Sequence, residues 1–157
     1  MSILTLTVKL LFDQSPMAGD KWKGTIEIDS SSTLADLHSA IQDAVEFEDD
    51  HLFEFYIAKS PRAYNDRIRF IGYDDDFSDD EYGSIFDTKI SQIFPLETSK
   101  KFFYWFDFGD NWMFEISKGR KADKDPVKGE EYPRLVDEKG VKPVQYPDYD
   151  DEDIDEE

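Results

Sequence analysis

The chain contains no cysteine. That excludes disulfides, thiolate metal sites and cysteine nucleophiles, and it fits a cytoplasmic protein. Histidine occurs only twice, as His38 and His51. No stretch approaches the roughly 18 apolar residues that a membrane-spanning helix requires, so no membrane partner is expected. The opening Ile3-Leu4-Thr5-Leu6-Thr7-Val8 alternates and lacks a basic leader or small-residue cleavage site. It reads as a strand rather than a signal peptide. Bases are scarce: 18 Lys and Arg stand against 37 Asp and Glu, for a net charge of -19. Such a surface repels phosphates, which disfavours direct nucleic-acid binding and favours cations and a basic protein or peptide as partner. No glycine-rich phosphate loop exists, and Gly83-Ser84-Ile85 and Ile90-Ser91-Gln92 lack a nucleophile elbow.

What the chain has in abundance is aromatic surface: 13 Phe, 8 Tyr and 3 Trp in 157 residues. That is the length of one domain, enough to bury about 70% of the surface its unfolded form exposes. Eight of these rings fall between Lys101 and Ile116, around Gly109-Asp110-Asn111. Two aromatic strands joined by such a turn predict a hairpin with a large packing payload.

Alternation predicts further strands over Ile3–Phe12, Trp22–Asp29, His51–Ile57 and Arg67–Ile71. Between the second and third, Leu34, Leu37, Ile41 and Val45 recur at helical spacing. Ser32 or Thr33 can cap that helix, with Asp36 in a capping-box position. A short second helix is expected near Ile90, Ile93 and Phe94, stopped by Pro95. These elements predict an α+β domain over residues 1–118: a mostly antiparallel sheet with an aromatic-rich C-terminal hairpin and one or two helices packed on one face. Residues 119–147 are rich in proline and glycine and read as an extended segment wrapping the body. Residues 148–157 hold eight carboxylates and read as a disordered acidic tail.

Three stretches occur in the order found in the plasmid pRiA4b ORF-3-like proteins. They are Thr33-Leu34-Ala35-Asp36-Leu37-His38-Ser39-Ala40-Ile41-Gln42, Asp50-His51-Leu52-Phe53-Glu54-Phe55, and Tyr104-Trp105-Phe106-Asp107-Phe108-Gly109-Asp110-Asn111-Trp112. The chain resembles that family over roughly residues 1–118. The resemblance implies a fold and no established activity. Family members often carry histidine at positions that here hold Phe53 and Phe114, which weakens any histidine-based site in this copy.

The residues with chemical potential are His38, His51, Asp107, Asp110 and Trp112. His38 borders the apolar helix face, where a histidine bonded through a ring nitrogen is the structural expectation. A metal pair with His51 would need Asp49, Asp50 or Asp110, at no diagnostic ligand spacing. Asp107 and Asp110 can act as acid and base if one is desolvated, or can stabilise the turn, with Asp107 paired to Arg67 or Arg69. The acidic stretch Asp74–Glu81 fits no EF-hand frame and reads as a solvated loop or a weak divalent-cation site. The hairpin aromatics read as core, or as a groove for a peptide or second subunit. No cofactor, resident metal or catalytic residue is implied. The expected function is a non-enzymatic protein-interaction module. The alternatives are an enzyme or metal-dependent hydrolase using His38, His51, Asp107 and Asp110, and an acidic DNA mimic that occupies a basic protein.

Overall fold

The first ten-residue strand sets the architecture. In a computed structural model that describes residues 2–12, 21–49, 51–63, 67–71, 83–108, 112–119 and 123–143, β1 spans Ile3–Phe12. Its Leu4, Leu6, Val8 and Leu10 are buried, as a two-residue side-chain period requires. β2 (Lys23–Asp29) runs antiparallel to it, with Leu4 opposite Ile28 and Leu6 opposite Ile26.

Helix α1 (Leu34–Val45) begins at Thr33, whose hydroxyl accepts from the Asp36 amide while the Asp36 carboxylate accepts from the Thr33 amide. That reciprocal box satisfies two of the orphan donors of the first turn. Glu46 ends the helix in a left-handed conformation.

The remaining strands are β3 (Phe53–Ala58), β4 (Ile68–Ile71), β5 (Gly83–Ser84), β6 (Lys101–Phe106), β7 (Trp112–Lys118) and β8 (Arg134–Lys139). They form one sheet in the order β5-β4-β3-β6-β7-β1-β2-β8. Seven strands are joined by antiparallel pairing, and β5 adds a two-residue parallel stub. The protein is therefore a mostly antiparallel sheet with one α-helix among the described residues. The second helix is only a 3-10 turn at Ile90–Gln92, because Pro95 forbids its continuation.

The β6–β7 hairpin is not peripheral. It sits mid-sheet between β3 and β1, and the stretch from 119 to 147 supplies β8 on the far edge. Cross-strand rows stack its rings in layers. Phe53, Phe106 and Trp112 are register partners, as are Phe55, Tyr104 and Phe114. These rows face the helix and join the main core. The alternate residues pack a smaller cluster on the opposite face, where Tyr56, Phe103 and Met113 meet half-buried Trp105. Both faces of the hairpin are thus used for packing. Two strand carboxylates are buried with basic partners: Glu54 with Arg69 Nε at 2.7 Å, and Glu27 with Lys124 and Arg134.

Candidate functional site

Helical spacing puts His38 and Gln42 one turn apart on the buried side of α1. Each is only 4% exposed. Both reach Tyr104 of β6. Its hydroxyl lies 2.6 Å from His38 Nδ1 and accepts from Gln42 Nε2 at 2.9 Å. On the other side of the imidazole, Nε2 lies 2.8 Å from Asp49 Oδ1, whose carboxylate is half exposed. One proton arrangement fits these contacts. Nδ1 accepts from the Tyr104 hydroxyl, that oxygen accepts from Gln42, and Nε2 carries its proton close beside the Asp49 carboxylate but outside hydrogen-bond geometry, while Gln42 Oε1 has no partner. The imidazole is neutral in it.

The electrostatics agree. Desolvation lowers the His38 pKa below its ordinary value of 6.5, against the opposing pull of Asp49. Burial holds the Tyr104 phenol well above its ordinary 10.0. Above the ring, Phe53 stacks face to face with His38.

His51 forms a second pair. Its Nε2 lies 3.3 Å from Asp107 Oδ2, with the carboxylate nearly buried and the imidazole about one-third exposed. Asp107 has φ 58, a region a non-glycine residue occupies at a cost of about 1–3 kcal/mol. Its amide donates to the Leu52 carbonyl at 2.9 Å, which holds the pair against the start of β3. The expected Arg67 or Arg69 partner for Asp107 gives way to His51. Arg69 lies opposite Tyr56, itself opposite Phe103, so Asp107 is four residues, about 13 Å, further along β6. Arg69 pairs with Glu54, and Arg67 lies over the Tyr56 ring at 3.8 Å.

Trp112 is buried and meets Phe47 edge-on at 4.8 Å, with its Nε1 lacking a hydrogen-bond partner. Four of the five expected residues therefore gather at one end of the central strands, around the Phe53–Phe106–Trp112 row. Of these, only His51 and Asp107 pair with each other; His38 meets Tyr104 and Asp49, and Trp112 packs on Phe47. His38 and His51 both contact the Phe106 ring, at 6.3 and 5.8 Å between centroids. Asp110 lies outside the described residues, as do Asp50, the acidic stretch Asp74–Glu81 and the tail.

Gln42 and Tyr104 were not singled out as partners of His38. The i, i+4 spacing of His38 and Gln42 was a readable signal; the Tyr104 contact, 66 residues away in the chain, was not. Among the described residues no group of three His, Cys, Asp or Glu side chains is placed to hold a metal ion. Chemically, the His38 chain is a largely desolvated polar network in which Gln42 Oε1 is left without a partner, while the His51–Asp107 pair is a carboxylate-oriented imidazole with partial solvent access. No described helix is long and apolar enough to cross a membrane.

Comparison with known proteins places this geometry in context. The profile described as plasmid pRiA4b ORF-3-like protein matches residues 4–146. The crystal structure of a protein of unknown function from Methanosarcina mazei Go1 superposes with a TM-score of 0.67. It is 23% identical, and the match covers 87% of this chain and 69% of that one, which speaks to fold alone. No curated protein matches the chain.

Proposed function

The chain belongs to the plasmid pRiA4b ORF-3-like family, and from that premise we propose that it is a cytoplasmic, non-enzymatic module that binds a basic partner protein. One observation carries this reading. With 37 acidic and 18 basic side chains, pairing every base once still leaves 19 carboxylates without a cation from the chain itself. Such an excess costs self-repulsion in the folded state and is relieved by a cationic partner. The burial of the hairpin rings supports the same reading, since Phe102, Phe103, Tyr104, Phe106 and Phe114 are fully buried and offer no stacking platform for nucleobases.

The test is affinity capture with the full chain at low salt, followed by titration of the purified candidate. The expected result is a saturable one-to-one complex that weakens steeply between about 0.05 and about 0.3 M salt. A complex that also excludes DNA from a nucleic-acid-binding partner would select the DNA-mimic form of this reading. Failure of every basic candidate to form a saturable complex would overturn it.

A second reading rests on the His51–Asp107 pair alone. A carboxylate-oriented imidazole with solvent access is competent as a general base. It requires a turnover that disappears in His51→Ala while the fold persists.

A further inference from the structure

The sheet face away from α1 carries a row of cations. In β1 the core side chains are Leu4, Leu6, Val8 and Leu10, so alternation turns Lys9 to the opposite face. Strand register sets Lys23 of β2 directly opposite Lys9, and Lys139 of β8 directly opposite Lys23. All three lysines are exposed. With neighbouring strands about 4.8 Å apart, the row is about 10 Å long between its end Cα atoms.

Like charges directly opposite one another destabilise a sheet. A chain this rich in carboxylates could neutralise the row, and it does not. Among the described residues Lys9, Lys23 and Lys139 form no ion pair, whereas Arg69, Lys101, Lys118, Lys124 and Arg134 each do. The acids nearest in register are engaged or offset. Glu115 lies opposite Lys9 on β7 but reaches Lys101 at 3.9 Å. Asp137 lies in the next row, opposite Thr25, and Glu138 accepts from Trp22 on the other face. The row and its flanks thus set Lys9, Lys23, Lys139 and Lys101 against Glu115 and Asp137, a local positive excess on a chain of net charge -19.

Donors of a second kind lie beside the row. Thr7 and Thr25 are register partners one row along and share its face. Lysine binds phosphate as a point charge, and threonine adds a directional hydroxyl donor.

The length of the row selects its ligand. A long polyanion would run onto Glu115 and Asp137 and into the field of an acidic chain. A compact anion escapes that field, because charge is screened over about 8 Å at physiological ionic strength and the nearest charges are the lysines. A monovalent anion would leave most of the row uncompensated. We propose that Lys9, Lys23 and Lys139, with Thr7 and Thr25, bind a compact oligophosphate with the chemistry of a linear triphosphate. Inorganic triphosphate and the tail of a nucleoside triphosphate share that chemistry. The site does not depend on the acidic surface invoked for a basic partner, so either reading can fail alone.

The probe is inorganic triphosphate, titrated by calorimetry into the full chain at about 0.05 M salt without divalent cations. The expected result is saturable one-to-one binding, with amide shifts concentrated in β1, β2 and β8. Lys23→Gln, at the centre of the row, is expected to weaken binding about tenfold, and Lys23→Arg to retain it within about threefold. Lys128→Gln removes the same charge from an exposed lysine outside the row and is expected to change affinity less than about twofold. Lys23 is exposed, and its replacement removes a like-charge contact, so the variants are expected to fold. Adenosine triphosphate, titrated in parallel, separates the sources. Tighter binding than inorganic triphosphate assigns the site to a nucleotide, and equal or weaker binding assigns it to the oligophosphate itself. No saturable binding, shifts outside these strands, or equal losses in Lys23→Gln and Lys128→Gln would each overturn the site. Tighter binding of a single-stranded oligonucleotide or a polyglutamate peptide would overturn it as well. The shift map uses the parent chain, so it decides the matter even if a variant misfolds.

Discussion

His38 lies flat against Phe53, with ring centroids 3.6 Å apart and planes 2° from parallel. Phe53 occupies one of the positions where the family resemblance suggests histidine. An apolar lid thus seals one face of the imidazole, while Tyr104 bonds Nδ1 and the Asp49 carboxylate flanks Nε2. The arrangement ties the helix to the sheet through Tyr104, in a buried network that already leaves Gln42 Oε1 without a partner and so tolerates little further loss.

Tyr104→Phe removes the hydroxyl shared by His38 and Gln42. Both are then buried with a lost partner, and Gln42 Oε1 is already without one. The expected loss is about 1–3 kcal/mol of unfolding free energy, read from a urea titration. Unchanged stability would show that the network contributes nothing.

Acid should destabilise the protein through the same residue. The folded state holds the His38 pKa below its ordinary 6.5, so on acidification the unfolded chain takes up the proton first. Stability is therefore expected to fall as pH drops below about 6.5, continuing until the folded imidazole itself protonates, with a slope of at most about 1.4 kcal/mol per pH unit. In His38→Asn the slope between neutral pH and the carboxylate range should flatten. A parent and variant with parallel melting profiles would contradict this.

Gly24 faces a fully buried indole. A Cβ there would fall 2.5 Å from two ring carbons of Trp22, whose Nε1 donates to Glu138 at 3.0 Å. Gly24→Ala is expected to cost about 1–3 kcal/mol by displacing that ring. A shift in Trp22 fluorescence should accompany the change, and a smaller ring in Trp22→Phe should relieve part of the cost.

The two hairpin tryptophans should separate in a melting experiment. Trp112 is 3% exposed in the main core, so Trp112→Ala is expected to cost about 3–5 kcal/mol. Trp105 is half-buried against the smaller cluster and should cost less. Equal losses would mean that the smaller cluster carries as much of the fold as the main one.

Much of the fold was legible because its signals are local. The β1 alternation, the Thr33–Asp36 box and the Leu34–Leu37–Ile41–Val45 stripe each depend on residues within a few positions of one another, and all appear as expected. The site was less legible. His38, His51, Asp107 and Trp112 could be singled out by residue type, yet their partners could not. Arg69 was a reasonable mate for Asp107 until strand register placed it beside Glu54.

By itself the sequence determined the periods, the caps, the acidic excess and the aromatic strands, since these follow from the order and chemistry of near neighbours. Only the tertiary structure decided that the hairpin lies mid-sheet, that β8 ends the row of described strands beside β2, and that Tyr104 meets His38. The reason is energetic. Alternation specifies which face a residue takes, while a single cross-strand pair contributes only about 0.2–1 kcal/mol, too little to name a neighbour. Strand order emerges from the packing of all the layers at once.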